Sequence, residues 1–257
     1  MSEQLQSDFD KLVKTSKFSN EEIKFKKNFL NNFIESGFQN RKQEDWKFLD
    51  ISQIIKKNIS DLSFFNDYSK SNKIDPSIFV DGLEHNKIIF INGKIEKIDF
   101  NFEDQNKIEI IEENKKDISF DYENSLIDLN SAFTDKVFKI LIKKNYSLKK
   151  PLIIYHSIND KIKSTNINLR LDFELGENSC LKLIDYFANT TEKNFINIFY
   201  NFNLEKDSIL KNYKIDKFRN NSLRYSFNNI NQDNNSVSET FILSAGSDYL
   251  KMRLIVI

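Results

Sequence analysis

Apolar residues recur at spacings of three and four up to about Ile59: Leu5, Phe9, Leu12 and Val13 first, then Phe25, Phe29, Leu30, Phe33 and Ile34. That period matches one face of an α-helix and predicts two amphipathic helices. Ser19 supplies the start signal of the second, because its hydroxyl can satisfy a free backbone N–H while Glu22 reaches back to the cap. Gly37 supplies the stop, being suited to a left-handed cap. Asp50 to Lys57 predicts a further short helix. Residues 60–80 lose clear periodicity around Asp75-Pro76 and read as a connector.

From Lys87 onward the period is two. Ile88-Ile89-Phe90-Ile91 precedes Asn92-Gly93, and Lys94-Ile95-Glu96-Lys97-Ile98 returns on the other side, which predicts a tight β-hairpin. A helix is predicted near Ser125 to Phe133. Strands are predicted at Val137 to Ile142, Leu152 to His156, Ile167 to Leu175, Leu181 to Phe187 and Ile196 to Leu204. In the third of these Ile167, Leu169, Leu171, Phe173 and Leu175 share one face, and Asn168, Arg170, Asp172 and Glu174 the other, as a half-buried sheet requires. Ile196, Ile198, Tyr200, Phe202 and Leu204 alternate in the same way.

A weak internal repeat overlies this pattern. Leu175-Gly176-Glu177-Asn178-Ser179-Cys180-Leu181-Lys182 resembles Leu204-Glu205-Lys206-Asp207-Ser208-Ile209-Leu210-Lys211. A strand, a tight polar turn and another strand at a fixed interval describe stacked solenoid coils, but a β-sandwich gives short alternating strands too. Periodicity alone leaves both open. Tyr249 to Ile257 reads as a strand with no turn, cap or polar tail after it, so an incomplete, C-terminally truncated chain is expected.

Composition narrows the class. With 257 residues, 39% of them hydrophobic, the chain can bury a core, as one large domain or a small one beside a medium one. Its 38 basic and 38 acidic side chains cancel, so no net field favours nucleic acid or an anionic membrane. A single cysteine forms no internal disulfide and, alone, no thiolate cluster site; the start of the chain lacks a basic and apolar signal, and no run approaches the roughly 20 apolar residues of a membrane span. A cytoplasmic protein is expected. No nucleophile motif, phosphate loop or metal-ligand cluster stands out.

The most distinctive string is Gly37-Phe38-Gln39-Asn40-Arg41-Lys42-Gln43-Glu44-Asp45-Trp46-Lys47-Phe48, a turn followed by basic residues, an acidic pair and the only tryptophan. It resembles the N-terminal signature of the SufD iron–sulfur cluster assembly proteins. Ile89 to Lys94, Leu129-Asn130-Ser131-Ala132-Phe133, Lys150-Pro151-Leu152 and the turns within Leu175 to Tyr186 and Leu204 to Tyr213 are similar to further segments of that family, in the same order, and Leu250 to Ile257 to a later rung. Departures are Gln39 in place of a favoured proline, Lys136 and Asn145 where glycine is common, and Leu49 in place of a small hydroxyl residue; they read as surface or turn changes. The resemblance implies an α+β, mainly β fold: an N-terminal helical region and connector over residues 1–86, then over residues 87–257 a hairpin leading into the early rungs of a right-handed parallel β-helix. It also implies a non-catalytic scaffold subunit of a SufBCD complex, pairing with SufB-like and SufC-like (ATPase) proteins without nucleic acid or membrane. No cofactor is expected on this chain, and the nascent Fe–S cluster would belong to the assembled complex, with its ligand histidine beyond Ile257.

Individual residues carry modest expectations beside this. Gly37, Arg41, Glu44, Asp45, Trp46, Lys47 and Phe48 mark the family and read as structural, Trp46 packing the helical region onto the β-helix rather than serving as a partner hot spot. Cys180 reads as a small buried packing residue, His156 as ordinary structure at a strand end and His85 as solvated. The Lys115-Lys116-Asp117 run and the Lys143-Lys144 pair read as solvated faces. Arg170, Asp172 and Glu174 leave an alternative open, since β-helix enzymes acting on acidic polysaccharides cluster such groups on a solvent-facing sheet. A self-associating structural solenoid is the third reading.

Overall fold

The computed structural model describes residues 1–59, 61–65, 74, 76–113, 124–159, 161–187, 193–216, 220–244 and 247–257, the side chains of residues 45, 220, 221, 247 and 248 excepted. Three helices come first: α1 (Ser2–Thr15), α2 (Asn20–Ser36) and α3 (Ile51–Asn58). Ser19 caps α2 in the expected way, accepting from the Glu22 backbone N–H while the Glu22 carboxylate accepts from Ser19 N at 2.6 Å. Gly37 closes α2 with φ 67° but ψ −168°, so the chain leaves extended rather than through the left-handed cap expected. Asp50 caps α3 through Gln53 N. Of the connector, residues 76–78 form a single helical turn, and its central stretch, like Lys115-Lys116-Asp117, lies outside the described residues.

Among the described residues twelve strands follow, interrupted by α4 (Ser125–Phe133): β1 (Asn86–Ile91), β2 (Lys94–Asp99), β3 (Ile108–Glu113), β4 (Val137–Ile142), β5 (Leu152–Ser157), β6 (Asn166–Leu175), β7 (Cys180–Phe187), β8 (Phe195–Leu204), β9 (Ile209–Asp216), β10 (Asn220–Gln232), β11 (Val237–Ser244) and β12 (Ser247–Val256). They form two sheets, ordered β11-β9-β7-β5-β1-β2 and β12-β10-β8-β6-β4-β3. From β4 onward the chain crosses from one sheet to the other with every strand, and from β5 onward each strand pairs in parallel with the strand one full coil earlier. This is a β-solenoid of about four turns, not a sandwich. Antiparallel β2 and β3 close its first end, β1 and β2 joined at Asn92 (φ 54°) and Gly93 (φ 81°), the left-handed pair a two-residue hairpin turn requires.

The sharp turns between the sheets stack as well. Asn145, Asn178, Asp207 and Asn235 hold φ between 56° and 58° at equivalent places in successive coils, each residue type being one that tolerates the left-handed region. Ser208 and Ser236 bond back to Glu205 O and Asp233 O, tightening two of these turns. The third copy, Asp233-Asn234-Asn235-Ser236, extends the repeat visible in two copies at sequence level.

Three apolar layers hold the molecule. Inward residues of both sheets fill the lumen, among them Ile88, Ile140, Ile154, Leu171, Phe173, Leu183, Ile198 and Phe202. A second layer lies between the helices and the outer face of one sheet, joining Leu5, Phe9, Leu30, Phe33 and Phe133 to Phe195, Phe199, Tyr225 and Phe227. Asn130 clamps α4 there, its amide donating to Leu169 O and Asn197 O. Ile78, Phe79 and Val80 cover part of the other sheet around Tyr155. Helices covering β6 explain a correction: Arg170 and Asp172, expected on a solvent face, are 2% and 0% exposed.

Candidate functional site

The Gly37–Phe48 string wraps the outer face of the last coils. Glu44–Trp46 form one helical turn, Trp46 is buried, its ring centroid lies 5.6 Å from that of Tyr225 on β10, and the Lys251 ammonium on β12 stands 4.9 Å above it. Trp46 therefore joins the helical region to the solenoid, in a contact that combines apolar burial with a cation–π pair. Phe48 is 86% exposed, with Lys47 Nζ 5.0 Å from its ring centre; Arg41 and Glu44 are exposed, and the Asp45 side chain lies outside the described residues. Gln39 departs from its expected surface role: it is buried, donating to Ser125 Oγ at 3.2 Å, because α2 and α4 pack together at that corner.

Chemistry-bearing side chains converge elsewhere, inside the lumen. Parity carries them there. Leu181, Leu183, Asp185 and Phe187 share the inward face of β7, and Leu210, Asn212, Lys214 and Asp216 that of β9, so polar residues in register with the inward leucines enter the core. Asp185 accepts from His156 Nε2 through Oδ1 at 2.8 Å and from Tyr200 OH and Lys214 Nζ through Oδ2, both at 2.7 Å. Lys214 Nζ also lies 3.6 Å from the Tyr200 ring centre. One coil later Arg224 Nη2 donates to Asp216 Oδ2 at 2.7 Å, with its guanidinium 4.0 Å over Phe187, which in turn stacks on His156 at 4.2 Å.

Burial and pairing set the protonation states. Burial alone would push the Asp185 carboxyl up, but Lys214 and then His156 outweigh it and hold the group well below the usual carboxylate range. For His156 burial dominates and lowers its pKa despite Asp185, so the ring is neutral and donates through Nε2–H. Burial likewise lowers the pKa of Lys214 and raises those of Tyr200 and Asp216. Two carboxylates thus face two cations around a neutral imidazole, and every member of the set is at most 6% exposed. An acid, a base and an amine are in bonding contact, yet sealed from solute; what the geometry accomplishes is to tie each coil to the next.

Asp185, Lys214, Asp216 and Arg224 are not among the residues that the sequence singles out, and His156 reads there as an ordinary strand-end residue. The readable signal was parity: polar residues in register with Leu181 and Leu210 belong inside. His85 is also buried rather than solvated, between Leu83 O at 2.6 Å and the Tyr155 hydroxyl at 2.8 Å. Cys180 is not a core residue but sits partly exposed at the start of β7, on the face opposite Leu181, with its thiol free. Among the described residues no group of three or more His, Cys, Asp or Glu side chains is placed to hold a metal ion.

The two strands at the far end differ from those at the first. Among the described residues β11 pairs only with β9 and β12 only with β10, and Phe241, Ile242, Leu243, Leu254 and Val256 are exposed along them. β2 and β3 display Lys94, Glu96, Lys97, Glu109 and Glu112 beside exposed Ile98 and Ile111, and such edge charges discourage further pairing. No family model matches this sequence, and no curated protein matches it. No helix among the described residues is long and apolar enough to cross a membrane.

Proposed function

We propose that the chain is a non-catalytic scaffold subunit of cytoplasmic iron–sulfur cluster assembly, similar to SufD, which pairs with a SufB-like partner and a SufC-like ATPase around a nascent cluster. The reading rests on the sequence resemblance together with one structural observation: a helical layer, pinned by the Trp46 string, lies across a two-sheet parallel solenoid, with hairpin, α4 and coils in the order that the resemblance implies.

The polysaccharide-enzyme alternative loses its site, because Arg170 pairs with Asp172 at 3.2 Å beneath the helices and neither can reach a polymer. Co-expression with the SufB-like and SufC-like proteins of the same genome tests the scaffold reading. A stable complex recovered through a tag on either partner is the expected result. Absence of both partners, or turnover of polyuronate by this chain alone, would overturn it.

A further inference from the structure

The outer face of the sheet that contains β5, β7, β9 and β11 carries apolar side chains in columns, one residue per coil, where a solvated face would carry polar ones. Ile153, Ile184, Tyr213 and Phe241 stand in register in one column, with Tyr155, Tyr186, Ile215 and Leu243 in the next. The chain covers one end of this face itself. Ile78, Phe79 and Val80 pack there, the Phe79 and Tyr155 rings lie 5.2 Å apart, and Ile153 and Tyr155 are fully buried. Toward β9 and β11 the same columns are bare, with Tyr213 37%, Leu243 50% and Phe241 56% exposed. Such side chains stand perpendicular to the sheet, so a strand paired to the edge of β11 would lie beside them and not over them.

A contiguous apolar patch of this kind marks a contact surface, and the charges flanking it say with what. Lys182, Lys211 and Glu239 stand in register beside the apolar columns, Lys211 Nζ 3.2 Å from the Glu239 carboxylate and Lys182 exposed. In a two-fold pair one surface meets its own copy. Let the axis run along β9, between two such faces packed as aligned sheets about 10 Å apart. β7 then lies opposite the partner's β11, and every column stays level. Lys182 meets the partner's Glu239, Ile184 meets the partner's Phe241, and the two copies of Tyr213 meet at the centre. Lys211, on the axis, is neutralised by Glu239 of its own chain. We propose that the outer face of β7, β9 and β11 binds a second copy of this chain in a closed, isologous dimer. The inference is independent of the scaffold reading, for it needs no other protein.

Sedimentation velocity of the whole 257-residue chain across the micromolar range, with no other protein present, is the test. A reversible monomer–dimer equilibrium without larger species is expected. Phe241→Lys, and separately Tyr213→Lys on the inner strand, should each weaken the dimer by about thirtyfold or more. Lys182→Glu and Glu239→Lys should each weaken it by about tenfold, and the two together should restore it to within about threefold of the parent. All four side chains point outward, so the variants keep the fold, which far-UV circular dichroism checks. A chain that is monomeric at every concentration, a dimer that survives Phe241→Lys, or charge reversal without rescue would each overturn the proposal. Loss of a co-expressed SufB-like protein in place of the dimer, on Phe241→Lys, would assign the face to that protein and overturn it as well.

Discussion

Asp185 accepts hydrogen bonds from side chains on three different strands, β5, β8 and β9, so one carboxylate links successive coils and both sheets. Removing it would leave Lys214 charged and enclosed without a partner. Asp185→Ala should therefore cost about 3–5 kcal/mol in urea denaturation, whereas Asp185→Leu combined with Lys214→Met should cost far less, since a buried ion pair replaced whole is often close to neutral. Equal losses in the two proteins would contradict the pairing. Asp128 offers the opposite case. Burial raises its pKa to about 6, against the Asn32 hydrogen bond, so in the folded state it holds a proton that the unfolded chain has already released. The stability it contributes is present below about pH 4 and lost as pH rises through about 6. Asp128→Asn should thus gain on the parent between those pH values, by about 2 kcal/mol at pH 7, in denaturation curves taken across the range. His156 has a depressed pKa, so its contribution is present above about pH 6.5 and is lost as acid protonates it. Little of this was legible in the sequence: rules that place polar residues outward are blind to ions that enter a lumen in balanced pairs.

Elements were far more legible than sites, for reasons that differ by element. α2 carried both its cap signals and an apolar stripe, and the hairpin carried Asn92-Gly93, so local chemistry determined each. β4 to β8 were readable because alternation persists wherever one face meets the lumen. β10 resisted, since inward Arg224, Ser226 and Asn228 alternate with outward Tyr225 and Phe227 that pack under the helices, which inverts the usual apolar-in pattern. The turn column makes its own demand. A Cβ on Gly176 would lie 2.7 Å from Lys144 N and 3.0 Å from Ile142 O, both backbone atoms with little room to retreat. Gly176→Ala should cost about 2 kcal/mol in thermal or urea denaturation, while Gly82→Ala, where the added atom meets nothing but φ is 74°, tests positive-φ strain alone and should cost about 1 kcal/mol. A larger loss at Gly82 would mean that stacking of the turns is looser than the spacing indicates.

For the whole molecule, the balance between helical layer and solenoid is the property that matters. Helices and sheet share one apolar cluster, so the helical layer has no complete core without the solenoid, whose lumen is packed by its own strands. Trp46→Ala should remove about 3–5 kcal/mol and act unevenly: amide hydrogen exchange should accelerate in β10 and β12 while β4 to β7, under α4 and the lumen, keep their protection. Uniform acceleration along the solenoid would argue for a single cooperative unit instead. The fold class was legible because each coil repeats the previous one, yet the covering of β6 and β8 by α4 was not, since no period in either element announces that the two will meet.

The Trp46 contact also carries a meaning for biosynthesis. Tyr225 and Lys251 are translated long after the tryptophan that they enclose, so while the intervening strands are being made Trp46 and its helical turn lack the sheet on which they rest. A chain arranged in this way cannot complete its helical layer until strands made much later arrive. Its nascent form is the state in which chaperones have most to protect.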